Sequence, residues 1–378
     1  MIEEYVDADW CVEQLKRMIM VPSPTGEEEK ISELIASLLN DIGFKVEYQW
    51  VENRRKNVIG RWKFDDSSPT ILVGGHIDTV RPACDWEKNP FVPIVENNRI
   101  FGLGACDMKG GIAALLTALR TLDERNRSFR GEIIFAGLVD EETFSKGART
   151  FIDSTINADM AFLAEPHFDE IIIGSFGKVL LEIQMEGKAA HASTPESGIN
   201  AIVEAAKLIA CLQELPLRKD DSMGTGSQCV LKIHGGSQEY SLSVPDRCCF
   251  ELNRHLIPIE DTNVVINDLY RLVEKMKLEG LVTVKAKDPY YPPYAINDDE
   301  RVVRLLQQAF REERLQEAKL SYGKSVSDAN LLVKGKKIPT VLFGPHGGNI
   351  HSAGEYVFQD SLITVARIYA RVFEMVLS

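Results

Sequence analysis

The chain has 378 residues, 44% hydrophobic and 26% charged, with a formal net charge of -13. These are the proportions of a globular protein of about two domains. The acid excess argues against nucleic acid or an anionic membrane as a partner, since both demand basic surface, and no apolar run approaches the about 20 residues a membrane helix needs.

Along the chain, Ile31, Leu34, Ile35, Leu38, Leu39 and Ile42 recur at helical spacing before Gly43, where a helix stops. FKVEYQWV reads as a strand, and TILVGG as a short strand buried on both faces. A helix, IAALLTALRTL, follows Gly110 and Gly111; GEIIFAGLVD and DMAFLAEP are further buried strands. Strands alternating with helices predict an α/β domain with a mainly parallel sheet. Past Gly174 the pattern changes to β-α-β-β-α-β, from GKVLLEIQMEG to LVTVKAK, the order of a ferredoxin-like unit. The Pro-rich DPYYPPYA reads as a connector. The helix RVVRLLQQAFREE, the strand IPTVLFGP and a terminal helix then return to the α/β pattern. One domain therefore interrupts another: residues 1–176 and 289–378 form the first, and residues 177–288 the inserted second.

The acids and histidines fall at strand ends. His76 and Asp78 follow TILVGG; Asp140, Glu141 and Glu142 follow GEIIFAGLV; Glu165 follows MAFLA; His351 lies just beyond TVLFGP. Asp107 sits in the glycine-rich GLGACDMKGG, where it occupies the third glycine position of a dinucleotide loop and weakens that reading. In open α/β sheets the ligand site lies beyond the carboxyl ends of the strands, so these groups converge. Converging carboxylates repel unless a cation sits among them. Histidine and carboxylate without thiolate suit zinc, cobalt or manganese. Two histidines and three carboxylates exceed one catalytic zinc and suffice for two ions if one carboxylate bridges. Asp78, two residues from His76, is placed to accept the other ring N–H through its carboxylate. Adjacent Glu141 and Glu142 point apart, so one can ligate while the other takes a proton from water. Seven cysteines, an odd number with no CxxC pair, point to a reducing compartment. With an acidic N-terminus, MIEEYVDADW, and no apolar leader, a cytoplasmic location is expected.

GGHIDTV, GLGACDMKGG, DEE at 140–142, AEP at 164–166, GKAAHAS at 187–193 and GPHGGNIHSAGEYV occur in one order along nearly the whole chain. In this the sequence resembles the dinuclear zinc deacylases and exopeptidases that include acetylornithine deacetylase, succinyl-diaminopimelate desuccinylase, aminoacylase and glutamate carboxypeptidase. The resemblance implies a zinc-exopeptidase-like catalytic domain with an inserted lid and dimerisation domain. It implies His76 and Glu165 on one metal, Glu142 and His351 on the other, Asp107 bridging, Asp78 orienting His76, and Glu141 as general base. It implies that His191 reaches the partner subunit's site in a homodimer and holds the oxyanion, and that Arg254 binds the substrate carboxylate. His346 is the rival to His351 for the last ligand. SVSDAN at 325–330 departs from the commoner GTDAR, and Leu252 stands where an aspartate often precedes the arginine. Glu165, rather than Asp, matches the deacylase and aminopeptidase-like members.

The expected activity is removal of an acyl group from an N-acyl amino acid. A dipeptidase or carboxypeptidase is the near alternative. A non-catalytic binding protein on the same fold is the remote one, and it would require a missing ligand or base.

Overall fold

The computed structural model describes residues 2–67, 69–123, 129–237, 239 and 241–378. The chain forms two compact units. One comprises 1–174, 296–321 and 327–378; the other comprises 175–295 and 322–326.

The first unit is mixed α/β around a large sheet. Its inner strands lie in the order Glu132–Leu138, Thr70–His76, Met160–Leu163, Thr340–Leu342, all parallel. Arg55–Lys63 and then Lys45–Glu52 extend the sheet antiparallel beyond Glu132–Leu138. The inner strands are apolar almost throughout because helices leave neither face to water; every residue of Glu132–Leu138 is buried. Helices Ala8–Ile19, Lys109–Asp123, Gln359–Leu377 and Arg301–Arg314 pack in that order, each on the next. Phe162 of the sheet stacks on Tyr369 and Phe373 of the last helix, with centroids 4.9 and 5.8 Å apart. Burying each such ring contributes about 1.5–3 kcal/mol. The helix Glu29–Ile42 buries Ile31, Ile35, Leu38, Leu39 and Ile42 and ends at Gly43, whose φ of 106° supplies the left-handed cap. A smaller antiparallel sheet joins Ile94–Glu96, Arg99–Phe101, Tyr356–Phe358 and Gly347–Gly348.

The second unit is a four-stranded antiparallel sheet in the order Gln228–Gly235, Arg247–Leu256, Gly177–Glu186, Leu281–Tyr291. With helices Ala201–Cys211 and Thr262–Met276, this is the β-α-β-β-α-β arrangement. Val179, Leu181, Ile183 and Met185 are buried and alternate with more exposed neighbours, and they share a core with Phe250, Leu252, Leu269 and Ala205. The Asp261 side chain caps the second helix through the Val264 N–H.

The domain boundaries differ from those drawn on the sequence. The last strand runs on to Tyr291, which pairs with Lys178, so the Pro-rich stretch is strand rather than connector and 289–295 stay with the second unit. Residues 322–326 join it as well: the Phe176 N–H donates to the Gly323 carbonyl, and Tyr322 packs against Phe176, Met223 and Ile257.

Candidate metal centre

The parallel strands bring their carboxyl ends to one place. His76 ends its strand directly after Gly75, whose φ of 155° is one that L side chains rarely adopt. Nδ1 of His76 lies 2.9 Å from the Asp78 carbonyl. A carbonyl only accepts, so Nδ1 carries a proton and Nε2 is the nitrogen turned toward the centre. Nε2 faces Oδ1 of Asp107 at 2.9 Å; burial would lower the ring's pKa, but that hydrogen bond and the surrounding acids raise it well above its ordinary value, so without a cation Nε2–H donates to the carboxylate. Oδ2 of Asp107 faces Nε2 of His351 at 3.3 Å. The same His351 nitrogen lies 3.0 Å from Glu142. Atoms of His76, Asp107 and Glu142 fall within 4.8 Å of one another. A carboxylate with one oxygen toward each of two imidazoles is the disposition of a bridge between two cations.

Glu165 is buried at the end of Met160–Leu163, within electrostatic reach of His76, Asp107 and Glu142. Burial, reinforced by the acids around it and opposed by His76, pushes its carboxyl up to about 8. Burial lifts Glu141 well above the ordinary range, with Glu165, Asp328 and Glu142 adding to it against His76. Hydrogen bonds to Asp107 and Glu142 raise His351 to about 10. Burial would raise Asp107, but His351 and His76 hold it well below the usual carboxylate range. These shifts report crowded negative charge that, with no cation bound, keeps protons on both imidazoles. His76, Asp107, Glu142, Glu165 and His351 thus fit divalent cations in donor type and in charge.

Asp78 differs from expectation in detail. Its backbone carbonyl orients His76, while its carboxylate lies 3.7 Å from Nδ1. That carboxylate instead accepts the Thr25 hydroxyl at 2.7 Å and the backbone N–H groups of Glu141 and Glu142 at 3.1 and 3.3 Å. His346 is not at the centre: its ring stacks on Phe358, 5.3 Å between centroids, and its N–H donates to Ser361.

Two expected residues lie in the second unit. His191 is exposed; its Nδ1 accepts the Ser193 N–H at 3.2 Å, so the ring proton sits on Nε2. Arg254 is 1% exposed, and its guanidinium is committed to Glu260 at 2.5 Å, the Pro216 carbonyl at 2.9 Å and Gln228 at 3.1 Å. Its strand register turns it to the side of Leu252 and Leu256, against Val179, so in this structure it is an internal ion pair and offers no surface to a substrate carboxylate.

Glu355 had no role in the sequence reading. Its carboxylate accepts three backbone N–H groups, of Gly104 at 2.8 Å, Cys106 at 2.9 Å and Asp107 at 3.0 Å. It ties the loop bearing Asp107 to the loop bearing His351. The signal was its place four residues after His351, within HSAGEYV. Cys106 beside Asp107 is buried, with its thiol raised by desolvation, and packs where Gly347 leaves room.

A parallel sheet ending in this donor set defines a metallohydrolase. Residues 72–375 match Peptidase family M20/M25/M40, and the chain belongs to that family, a metal-dependent hydrolase acting on amide bonds. It is 28% identical over 375 residues to acetylornithine deacetylase of Klebsiella pneumoniae, covering 92% of each chain. Its fold is similar to aminopeptidase PepT from Bacillus cereus, with TM-score 0.84 and 26% identity over 98% of this chain and 99% of that one. It also resembles in fold a Bacillus subtilis protein described as a dinuclear metal binding peptidase of the M20 family, with TM-score 0.73, 18% identity and 98% coverage of both chains. Among the described residues no helix is long and apolar enough to cross a membrane.

Proposed function

We propose that this chain removes the acyl group from an N-acyl amino acid, of the acetylornithine or succinyl-diaminopimelate type, using two divalent ions. The observation that carries the metal reading is the Asp107 carboxylate, with one oxygen toward His76 and the other toward His351. His76 and Glu165 would hold one ion, Glu142 and His351 the other. Zinc is the native metal in this reading, with cobalt or manganese as substitutes. When bound, the ions polarise the scissile carbonyl and make water a stronger acid.

Glu141 takes the proton from the attacking water and returns it to the leaving nitrogen. Its neighbour's backbone N–H and its own are both held by Asp78, which anchors the turn from which the carboxylate extends. His191 donates its Nε2–H to the developing oxyanion, acting across a homodimer through the second unit as a lid. The Nε2 tautomer set by Ser193 supports that role. The enzyme is expected in the cytoplasm, with small-molecule substrates.

The deacylase reading rests on the likeness to acetylornithine deacetylases. A peptidase is the second reading, favoured by the likeness to aminopeptidase PepT. A panel of N-acetyl and N-succinyl amino acids beside di- and tripeptides, with zinc or cobalt added, separates them: turnover of the acyl amino acids alone supports the first, of peptides alone the second. Glu141→Gln should retain zinc and lose about 10²–10⁴-fold in kcat, the range of a positioned acid–base; an active variant would remove Glu141 from the mechanism. Mixing inactive His191→Ala and Glu141→Gln chains should restore part of the activity in hybrid dimers if His191 acts in trans.

A further inference from the structure

We propose that Arg55, clamped by Glu28, is a positioning residue that sets the Glu141–Glu142 turn through Asp140. The inference rests on the reading of Glu141 as base and Glu142 as ligand.

Asp140 is the corner of that turn. It stands at φ 74°, in the left-handed region that a non-glycine residue adopts only when its surroundings hold it there. Its backbone carbonyl receives the N–H groups of Phe144 and Ser145 at 3.1 and 2.6 Å. One side-chain oxygen receives the Lys146 N–H at 3.2 Å. The other receives Nη2 of Arg55 at 2.5 Å.

Arg55 is itself fixed on every side of its guanidinium. Nε and Nη2 form a fork on the buried carboxylate of Glu28, at 2.9 and 2.5 Å, and Nη1 donates to Glu52 at 2.9 Å. Glu52 also receives the Lys146 ammonium at 2.8 Å. Glu28 accepts the Gly26 N–H at 3.0 Å, and the adjacent Thr25 donates to Asp78. Asp78 in turn holds the N–H groups of Glu141 and Glu142. The hydrogen bonds close into a ring: Thr25, Asp78, the Glu141–Glu142 turn, Asp140, Arg55, Glu28 and back through Gly26. The turn is thus gripped at its amides by Asp78 and at its corner by Arg55.

A lysine cannot reproduce this grip. Its ammonium is a single point, whereas the guanidinium spans Glu28, Asp140 and Glu52 at once. A purely structural ion pair would, on loss, weaken the fold while leaving folded molecules active. A positioning residue predicts a different result: the folded variant retains substrate binding and loses turnover and metal affinity together, because both acids move.

The test is Arg55→Lys, measured in the zinc-loaded enzyme on whichever amide substrate the panel above identifies, and in the metal-stripped protein by zinc competition against a chelator. The expected result is a fall of about 10–100-fold in zinc affinity, the range for outer-sphere partners, with kcat falling in parallel and KM within about threefold. In the double variant Arg55→Lys/Asp140→Asn the loss should be no greater than in the worse single variant, as expected for residues on one path. Wild-type kcat and zinc affinity in folded Arg55→Lys, or losses that multiply in the double variant, overturn the proposal. If Arg55→Lys does not fold, Glu28→Gln decides by the same two readouts, with a smaller fall in each as the supporting result and none as the contrary one. Glu141→Gln run in parallel separates the two failures. If it turns over normally, the base assignment falls, while the zinc affinity of the Arg55 variant still tests the grip on Glu142.

Discussion

At Glu355 one buried carboxylate accepts three backbone N–H groups of the loop that presents Asp107. Burial pushes its carboxyl up to about 7 against those three bonds. Glu355→Ala leaves three inward donors without a partner, each costing about 1–3 kcal/mol if it stays dry. The expected outcome is zinc affinity weakened by about 10–100-fold, read by chelator competition; unchanged affinity would show that the loop holds Asp107 unaided. Arg254 invites the opposite experiment. Removing it by Arg254→Ala leaves Glu260, whose side chain is wholly buried, with Arg218 at 3.5 Å as its nearest cation. Breaking a buried pair costs about 3 kcal/mol or more, so a urea melt should shift markedly while KM of the folded fraction holds. A large rise in KM at unchanged stability would restore the arginine as a carboxylate binder.

At the element scale, strand alternation places Arg254 inside the second unit. A strand turns successive side chains to opposite faces. In Arg247–Leu256 the buried residues Cys248, Phe250, Leu252 and Leu256 all share the parity of Arg254. The alternation in CCFELNRHL therefore points the arginine inward. The same rule yields a paired test. Leu252→Ala should cost about 2–5 kcal/mol as a core cavity, and Asn253→Ala, next to it on the other face, within about 0.5 kcal/mol, both by equilibrium unfolding. Equal costs would contradict the register. The strand ends were legible for a related reason. Short runs such as TILVGG and GEIIFAGLV are apolar because both faces are covered, so the first polar residues after them mark where the chain reaches the site. What spacing could not reveal are pairings across the chain. Arg55 meets Glu28 and Asp140 from 27 and 85 residues away, and Asp78 uses its carbonyl, not its carboxylate, on His76. The end of the inserted unit was hidden too, because Pro-rich 289–293 looked like a connector while strand pairing carries on to Tyr291.

At the scale of the whole molecule the centre couples metal, protons and stability. In the metal-free protein the buried carboxyls of Asp78 and Glu165 stand at about 7 and about 8, above their ordinary values of 3.8 and 4.5. The folded state therefore keeps protons that the unfolded state has released. Stability falls as pH rises from the unfolded values through the folded ones. His351, raised from 6.5 to about 10, has the same sign: its contribution is whole below 6.5 and lost as pH climbs through 10. Asp107, lowered, acts in the opposite sense only in acid, below its ordinary 3.8. The melting temperature of chelator-treated protein should thus drop between pH 5.5 and pH 8.5, and added zinc should remove most of that drop by binding the folded state. A melting temperature that rises over that interval without metal would contradict the charge reading. The most direct measurement is calorimetric titration of zinc into the stripped enzyme, beside Asp107→Ala. Two ions per chain, with both lost or severely weakened in the variant, is the predicted result. One ion per chain, or a variant that still takes two at the original affinity, would contradict a centre bridged by Asp107.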